Sequence, residues 1–401
     1  MKRLILCLLL LLCGLTALGQ GLHYVVRGTV TDAGTGKSME SVAVSLPGRT
    51  YATVTNADGE YVIKSDAPIN ELIFTCLGYA SVRKKTDGEG KLNVSMKRIA
   101  IQLDGAMVVS GNALDLVRQA IFMIPVNYPE QAELMDCFYR ETIRKRQRYT
   151  YICEAVSRIY KYGYKHGVAA DRTALDKSRV LLSQKRRDTL SVKLQGGPTQ
   201  AVTFDIAKNP DFFIDEEIMC KHKLVLAGTD YIDGRAQFVV KVSPEAISDF
   251  ALYNGTLYID CETFAFTRAE LSMDMSSPYL VTRQILVKKP AQLRFTPKEV
   301  SFIVNYRKAG DIYRLSYCRT TMRFACDWKK RLLSTNYTVV NELVVTGVRD
   351  TATPIRWQEM FSSRDVLMDK SKLFDDPDFW KDYNIIEPTE SLERAIGHLK
   401  K

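Results

Sequence analysis

The chain has 401 residues, 46% of them apolar and 25% charged, with 56 Lys and Arg against 46 Asp and Glu. That balance belongs to a folded globular protein long enough for two or three domains, and it excludes a disordered or low-complexity chain. The net charge of +10 is scattered rather than gathered into one block. It therefore points to an anionic surface such as lipid headgroups or acidic glycan, or to a solvated basic face, and not to nucleic acid.

The first nineteen residues read as a signal peptide. Lys2 and Arg3 form a positive start, Leu4 to Leu12 with Cys13 an apolar core, and Ala17-Leu18-Gly19 the small residues of a cleavage site before Gln20. The apolar run is about 15 residues, too short for a permanent helix across a hydrocarbon core of roughly 30 Å. Cys7 and Cys13 both follow Leu, which disfavours lipidation. Cleavage would remove Lys2 and Arg3, lowering the formal charge from +10 to +8, and would leave seven cysteines. The expected destination is the periplasm or the inner face of an outer membrane. None of the seven has the two-residue spacing of a redox motif or zinc knuckle, and an odd count leaves at least one thiol free. Cys318 and Cys326 would lie about 26 Å apart on one strand, at about 3.3 Å per residue. A hairpin centred on Lys145 would instead set Cys137 opposite Cys153, the better candidates for a bond, while burial as small apolar side chains is the expected role of most.

From Tyr24 to about Met107 short β-branched runs alternate with turn residues, the pattern of a small antiparallel sandwich with about seven strands. Val25 to Thr31 reads as a strand, Asp32 to Gly36 as a turn, Val42 to Leu46 and Tyr51 to Thr55 as strands. Asn56-Ala57-Asp58-Gly59 turns the chain into Tyr61-Val62-Ile63, and Leu72 to Cys76 and Leu92 to Met96 complete the set. The segments Gly28-Thr29-Val30-Thr31-Asp32, Ser41-Val42-Ala43-Val44, Thr53 to Tyr61 and Leu72 to Tyr79 resemble the carboxypeptidase regulatory-like (transthyretin-like) sandwich of Gram-negative envelope proteins. The family often has Asp at the place of Asn56 and Pro at the place of Ser41. This module precedes the plug of many TonB-dependent transporters and accompanies some zinc carboxypeptidases, so the resemblance implies an adaptor or stability role. The roughly 290 residues that follow fall short of a 22-stranded transporter barrel. The four histidines, His23, His166, His222 and His398, form no zinc-ligand cluster.

Asn112 is placed to cap a linking helix through Met123, with Leu114, Val117, Ile121 and Ile124 on one face and Pro125 as a stop. Strand character follows at Phe138 to Ile143, Tyr149 to Tyr160 (which reads equally as helix), Val180 to Ser183, Leu190 to Leu194 and Val202 to Ile206. Beyond Lys223, Asp233-Gly234 marks one hairpin and Asp260-Cys261-Glu262-Thr263 another. Leu280 to Lys288, Glu299 to Tyr306, Ile312 to Phe324 and Asn336 to Val348 continue a curved antiparallel meander. The run Asn254 to Asp260 with Phe266 to Leu271 is similar to the repeating unit of the lipoprotein-carrier (LolA/LolB-like) half-barrel. A tail with a final helix from about Thr389 to Leu399 is expected to pack across the sheet. Its run Phe379 to Pro388 resembles the ending of envelope proteins that carry the same amino-terminal module.

The sequence holds no Gly-x-Ser-x-Gly elbow, phosphate-binding Gly-rich loop or dinucleotide fingerprint. Glu216 and Glu217 are adjacent and would point to opposite faces of a strand, not toward a shared glycosidic bond. Asn56 to Glu60 looks like the start of a calcium loop, but the twelfth position is Ala67, and a turn explains it. Two aromatic groups are candidate binding residues. Tyr160, Tyr162 and Tyr164, interleaved with Lys161 and Lys165, would stack on sugar rings or sit at a lipid interface, or else mark a strand leaving the core with half its tyrosines buried. Phe212 and Phe213 would form the lip of an apolar groove, or pack in the core.

The expected architecture is mainly β: residues 1–19 a leader, 20–110 a seven-stranded sandwich, 111–129 a linking helix, 130–350 an antiparallel half-barrel meander, and 351–401 a helical tail. The expected function is non-catalytic: a binding or adaptor protein with an envelope partner such as an outer-membrane transporter or assembly factor. Alternatives are a carbohydrate-recognition component of glycan uptake, a lipid or lipoprotein carrier, or an unrecognised hydrolase. No catalytic residue, metal or cofactor is expected.

Overall fold

The computed structural model describes residues 24–99, 112–166, 171–185, 190, 192–194, 196–210, 214, 216–329, 334–349, 353–362, 365, 367–370, 372–373 and 380–399. The leader and the pair Phe212 and Phe213 lie outside these residues. The protein is mainly β, with two sheets stacked in an amino-terminal sandwich and one broad curved sheet that does not close into a barrel.

The sandwich comprises β1 (Tyr24–Asp32), β2 (Ala43–Ser45), β3 (Ala52–Val54), β4 (Glu60–Ser65), β5 (Ile69–Thr75), β6 (Val82–Gly88), β7 (Gly90–Lys91) and β8 (Val94–Met96). In one sheet β1 pairs antiparallel with β4 and parallel with β7 and β8; the other runs β3-β2-β5-β6. Alternation along these strands sends Val26, Val30, Val44, Ile63, Leu72 and Phe74 into a shared core. Tyr61 meets Phe74 edge-on at 5.4 Å between ring centroids, and its hydroxyl donates to the Leu92 carbonyl at 2.7 Å. The loop carrying Leu92 lies so close to β1 that a Cβ on Gly28 would stand 1.9 Å from the Leu92 oxygen. Asn56 closes the turn before β4 by accepting from the backbone N–H of Asp58 and of Glu60, both at 2.9 Å. Ser41 has φ +61°, which a proline ring cannot adopt. The departure from the family's frequent proline therefore accompanies a different backbone at this point.

Two short helices follow, α1 (Ala113–Phe122) and α2 (Ile124–Asn127). Asn112 caps α1, accepting from the Leu114 N–H at 3.2 Å. Pro125 does not stop the chain there; it sits in the first turn of α2, where a missing N–H leaves no helix bond unmade.

The large sheet contains β9 (Glu133–Lys145), β10 (Arg148–Lys161), β11 (Arg172–Leu182), β13 (His222–Ile232), β14 (Arg235–Pro244), β15 (Tyr253–Asp260), β16 (Phe266–Met273), β18 (Leu293–Ala309), β19 (Ile312–Trp328) and β20 (Thr335–Arg349), with a two-strand pair of β12 (Lys193–Leu194) and β17 (Leu286–Lys288) outside it. Its order is β13-β14-β15-β16-β18-β19-β20-β9-β10-β11, antiparallel throughout, with β21 (Lys372–Leu373) added in parallel to β11. The pairing of β20 with β9, from Tyr337 opposite Lys145 to Arg349 opposite Leu134, joins the two halves of the meander. Short helices α3 (Pro198–Val202), α4 (Glu216–Met219), α5 (Pro278–Ile285), α6 (Leu367–Lys370) and α7 (Glu390–Leu399), with a single 3-10 turn at Trp357–Glu359, complete the elements among the described residues.

Three readings of the sequence change. Leu280 to Lys288 is mostly the helix α5, started by Pro278, with only its last three residues extended. Val202 to Ile206 ends α3 and turns, although Val202 and Ile206 are buried and Phe204 half-buried, as a strand's residues would be. Cys137 faces Ser157 and Cys153 faces Glu141, because the hairpin turns one to two residues later than Lys145; the seven described cysteines are free thiols.

Alternation gives the large sheet two buried faces. On the concave side Met135, Cys137, Cys153, Leu257, Phe302 and Phe324 meet Val117 and Ala120 of α1, Val202 of α3 and Val281 of α5 in one core. On the convex side Phe138, Val156, Tyr317 and Val344 pack against Val54 and Val62 of the sandwich and against Trp380, Ile385 and Ile386. Further along, Leu392 of α7 covers Ile152 and Leu181.

Candidate functional site

The tyrosines singled out in the sequence sit where β10 ends. Tyr160 is 4% exposed and points to the convex side, where it packs with Leu134 and Ala174. Tyr164 is 6% exposed and points into the hollow, with its hydroxyl donating to Asp205 at 2.9 Å and its ring stacked on Tyr128 at 4.8 Å. Tyr162, half-buried, meets Tyr160 edge-on. The three therefore form no common platform.

Around Tyr164 lies a charge cluster that the sequence reading missed. Lys161 reaches Asp205 at 2.8 Å and Asp171 at 3.3 Å, and Lys208 reaches Asp171 at 3.1 Å; both lysines are 2% exposed. The Tyr306 hydroxyl donates to Asp205 at 2.7 Å. Two cations face two anions, so the cluster is balanced and walled in. Burial and the neighbouring Lys161 push the Lys208 amine down to about 8.

The convex side carries a second buried network. Glu154 accepts from Arg140 at 2.7 Å, from Arg179 at 2.9 Å and from the Trp380 indole at 3.0 Å. Arg140 also donates to the Ile386 carbonyl at 2.7 Å. Burial raises the Glu154 carboxyl, but the two guanidiniums outweigh it and hold the group below its usual range. The same segment, residues 380–388, grips the sandwich. Asn384 exchanges two hydrogen bonds with the Lys64 backbone at 2.7 and 3.0 Å, Thr53 donates to the Ile385 carbonyl at 2.8 Å, and the Lys64 ammonium donates to the Trp380 carbonyl at 2.6 Å. Residues 380–388 are thus a strap clamped between sandwich and sheet.

Beside that contact, where Thr53 and Val54 reach from the strap toward β18, the two surfaces separate into a cleft of about 120 Å³. The sandwich supplies Glu40, Ser41, Thr53 and Cys76; the convex face supplies side chains of β14, β16, β18 and β19. Glu40 pairs with Arg319 across the opening, and Ser81 of the sandwich donates to Asp233 at 2.9 Å. Four cations line the cleft: Arg235, Arg268, Arg307 and Lys308. Arg235 is bound to Asp260 at 2.6 Å and Arg268 to Glu270 at 2.6 Å. Arg307 is different. Half-buried, it donates only a long bond of 3.4 Å to the Thr50 carbonyl, and among the described residues no carboxylate lies within 4 Å of it or of Lys308. Desolvation and the nearby Arg314 push its guanidinium down to about 10, against the pull of Asp233. A larger hollow of about 320 Å³ runs along β11, lined by Leu175, Lys177, Met360, Phe361 and Lys370. Among the described residues no three His, Cys, Asp or Glu side chains are grouped as a metal site requires.

Sequence signals for the cleft were slight. Arg307 and Lys308 precede the Ala309-Gly310-Asp311 turn as ordinary surface cations would, and only the sandwich lying across Arg307 makes it unusual.

Solved structures with a similar strand arrangement include a domain assigned as an outer-membrane lipoprotein-sorting protein from Vibrio parahaemolyticus, at 11% identity and TM-score 0.31, covering 62% of this chain and 96% of that one. A DUF1329 family protein from Desulfovibrio piger matches at 10% identity and TM-score 0.29, over 61% of this chain and 95% of that one. A LolA superfamily protein from Nitrosomonas europaea matches at 12% identity and TM-score 0.21, over 60% and 96%. These values are too low to carry over a ligand or partner. No curated protein matches the sequence. Residues 26–108 match the family model of the CarboxypepD_reg-like domain, a similarity that spans the sandwich and stops before the large sheet.

Proposed function

We propose that the chain is a non-catalytic binding protein of the cell envelope, an adaptor in which the sandwich and the large sheet act as one rigid body. The observation that carries this reading is the strap: Asn384, Ile385 and Trp380 fasten the sandwich to the convex face through buried hydrogen bonds. A domain fixed in this way presents its outer surface in constant register with the sheet, which suits docking between two partners more than capture by a swinging module. The signal-like leader and the regulatory-like sandwich support an envelope location.

The lipid or lipoprotein carrier is the second reading, supported by the half-barrel form of the sheet. It requires movement, because side chains of α1, α3 and α5 fill the concave side among the described residues. Under the adaptor reading the ligand contacts are on the outside of the molecule.

The test is capture of partners by the tagged mature protein from detergent-solubilised envelopes, with mass spectrometry of proteins and lipids. Reproducible enrichment of an outer-membrane transporter or assembly factor is expected. Recovery of lipid alone would replace the adaptor with the carrier.

A further inference from the structure

The cleft between sandwich and sheet holds more positive charge than its own carboxylates answer. Glu40 is already committed to Arg319, and Arg235 and Arg268 have acidic partners of their own; Asp233, bonded only by the neutral Ser81 hydroxyl, keeps its charge and acts on Arg307 from beyond 4 Å. That leaves Arg307 of β18, turned toward the sandwich, without a carboxylate within 4 Å among the described residues; Lys308, next to it, turns to the other face of the strand, its ammonium 5.7 Å from the centre of the Tyr313 ring. A guanidinium partly removed from water with no carboxylate in contact is destabilising, and an anion seated beside it relieves that cost. The space beside it is about 120 Å³, below the several hundred Å³ of a pocket that encloses a whole drug-sized molecule. It has room for one charged group and a short stretch of what bears it.

We propose that this cleft is a binding site for a small oxyanion, a phosphate or carboxylate group, held by the fork of Arg307 with Arg268 beside it. Guanidinium is the group suited to this: its paired N–H donors match two oxygens of either anion. The Thr53 hydroxyl does not contribute, being spent on the Ile385 carbonyl. Because the wall opposite Arg307 belongs to the sandwich, an occupied cleft ties the two domains together beside the strap, which Thr53 of the same wall already bonds. The inference deepens the binding reading and rests on it only for biological meaning; the site is testable without any protein partner.

The experiment measures melting temperature and calorimetric binding of the mature protein with inorganic phosphate and, separately, with glucuronate, against chloride at equal ionic strength. One or both anions should raise the melting temperature above the chloride control, and which one does so separates a phosphate-bearing from a carboxylate-bearing source. Arg307→Gln should weaken binding at least tenfold yet melt no lower than wild type without anion, since it removes a partly desolvated charge that no carboxylate contacts. A merely structural arginine would show the opposite: a lower melting temperature in Arg307→Gln with the anion response intact. Equal responses in wild type and variant, or no response beyond chloride, would overturn the site. Should Arg307→Gln not fold, Arg307→Lys replaces it: binding at least threefold weaker upholds the fork, and binding equal to wild type overturns it.

Discussion

Glu154 organises the buried charge of the convex face, since it is the acceptor that Arg140, Arg179 and Trp380 share. Removing one member of a buried ionic set leaves the others charged and dry, which costs about 3–5 kcal/mol. Glu154→Ala should therefore lower unfolding free energy by that order, read from urea midpoints, and a loss below about 1 kcal/mol would contradict the assigned role. Glu141, one strand position away on the opposite face, behaves in the other sense. Burial raises its carboxyl above the ordinary 4.5, and the hydroxyls of Tyr139 and Tyr151 with the Gly197 N–H pull it back only in part. The folded state thus holds this proton more tightly than the unfolded state. Its favourable contribution is full below pH 4.5 and is lost as pH rises through the raised value. Glu141→Gln cannot ionise and keeps an acceptor for the Tyr139 hydroxyl, which now lies 2.9 Å from the carboxylate. The variant should gain on wild type as pH rises from 4 to 8; a difference independent of pH would show that Glu141 does not titrate in this range.

Among the elements, legibility followed the range of the interaction that shapes each one. The Asp233-Gly234 hairpin and the Asn112 cap are encoded within a few residues, and both stand where the sequence puts them. The pair Asn254 to Asp260 and Phe266 to Leu271 forms the expected hairpin, Leu257 opposite Ala269. Tyr149 to Tyr160, readable as helix or strand, is the strand β10 because it is buried on both faces, between the hollow and the strap. A continuous apolar run has no period to read in such a place. The segment Leu280 to Lys288 was misleading for a related reason: Val281 and Ile285, buried at helical spacing, also fit a short β-branched run. What lay beyond reach was the pairing of β20 with β9 and the strap, contacts across some two hundred residues or more in sequence, whose partners no local pattern names. The cleft belongs to this class, because it exists only where those long-range contacts bring the sandwich over β18. The candidate tyrosines failed as a platform because strand alternation sends Tyr160 and Lys161 to opposite faces, with Tyr164 in the hollow.

At the scale of the whole molecule, sandwich and sheet should unfold together. Val54 and Val62 share a buried cluster with Phe138, Tyr317 and Val344, and the strap fills the space between them. Each strap hydrogen bond contributes on the order of 1 kcal/mol net, and burying Trp380, Ile385 and Ile386 adds roughly 1.5–3 kcal/mol for each side chain. That coupling is comparable with the entire stability of a small domain, so neither part has much reason to melt ahead of the other. Calorimetry of the intact mature chain should give a single transition whose van't Hoff and calorimetric enthalpies agree. Ending the chain after Phe379 removes the strap and α7, exposes Phe138 and the Glu154 network, and leaves the sandwich held by the reduced packing of Val54 and Val62 on the sheet and by rim contacts such as Ser81 with Asp233. The truncated protein should then show two transitions, the sandwich retaining its own core of Val26, Val30, Ile63 and Phe74. A single transition at the original temperature after truncation would mean that the strap is not what joins the domains, and the rigid-adaptor reading would lose its structural basis.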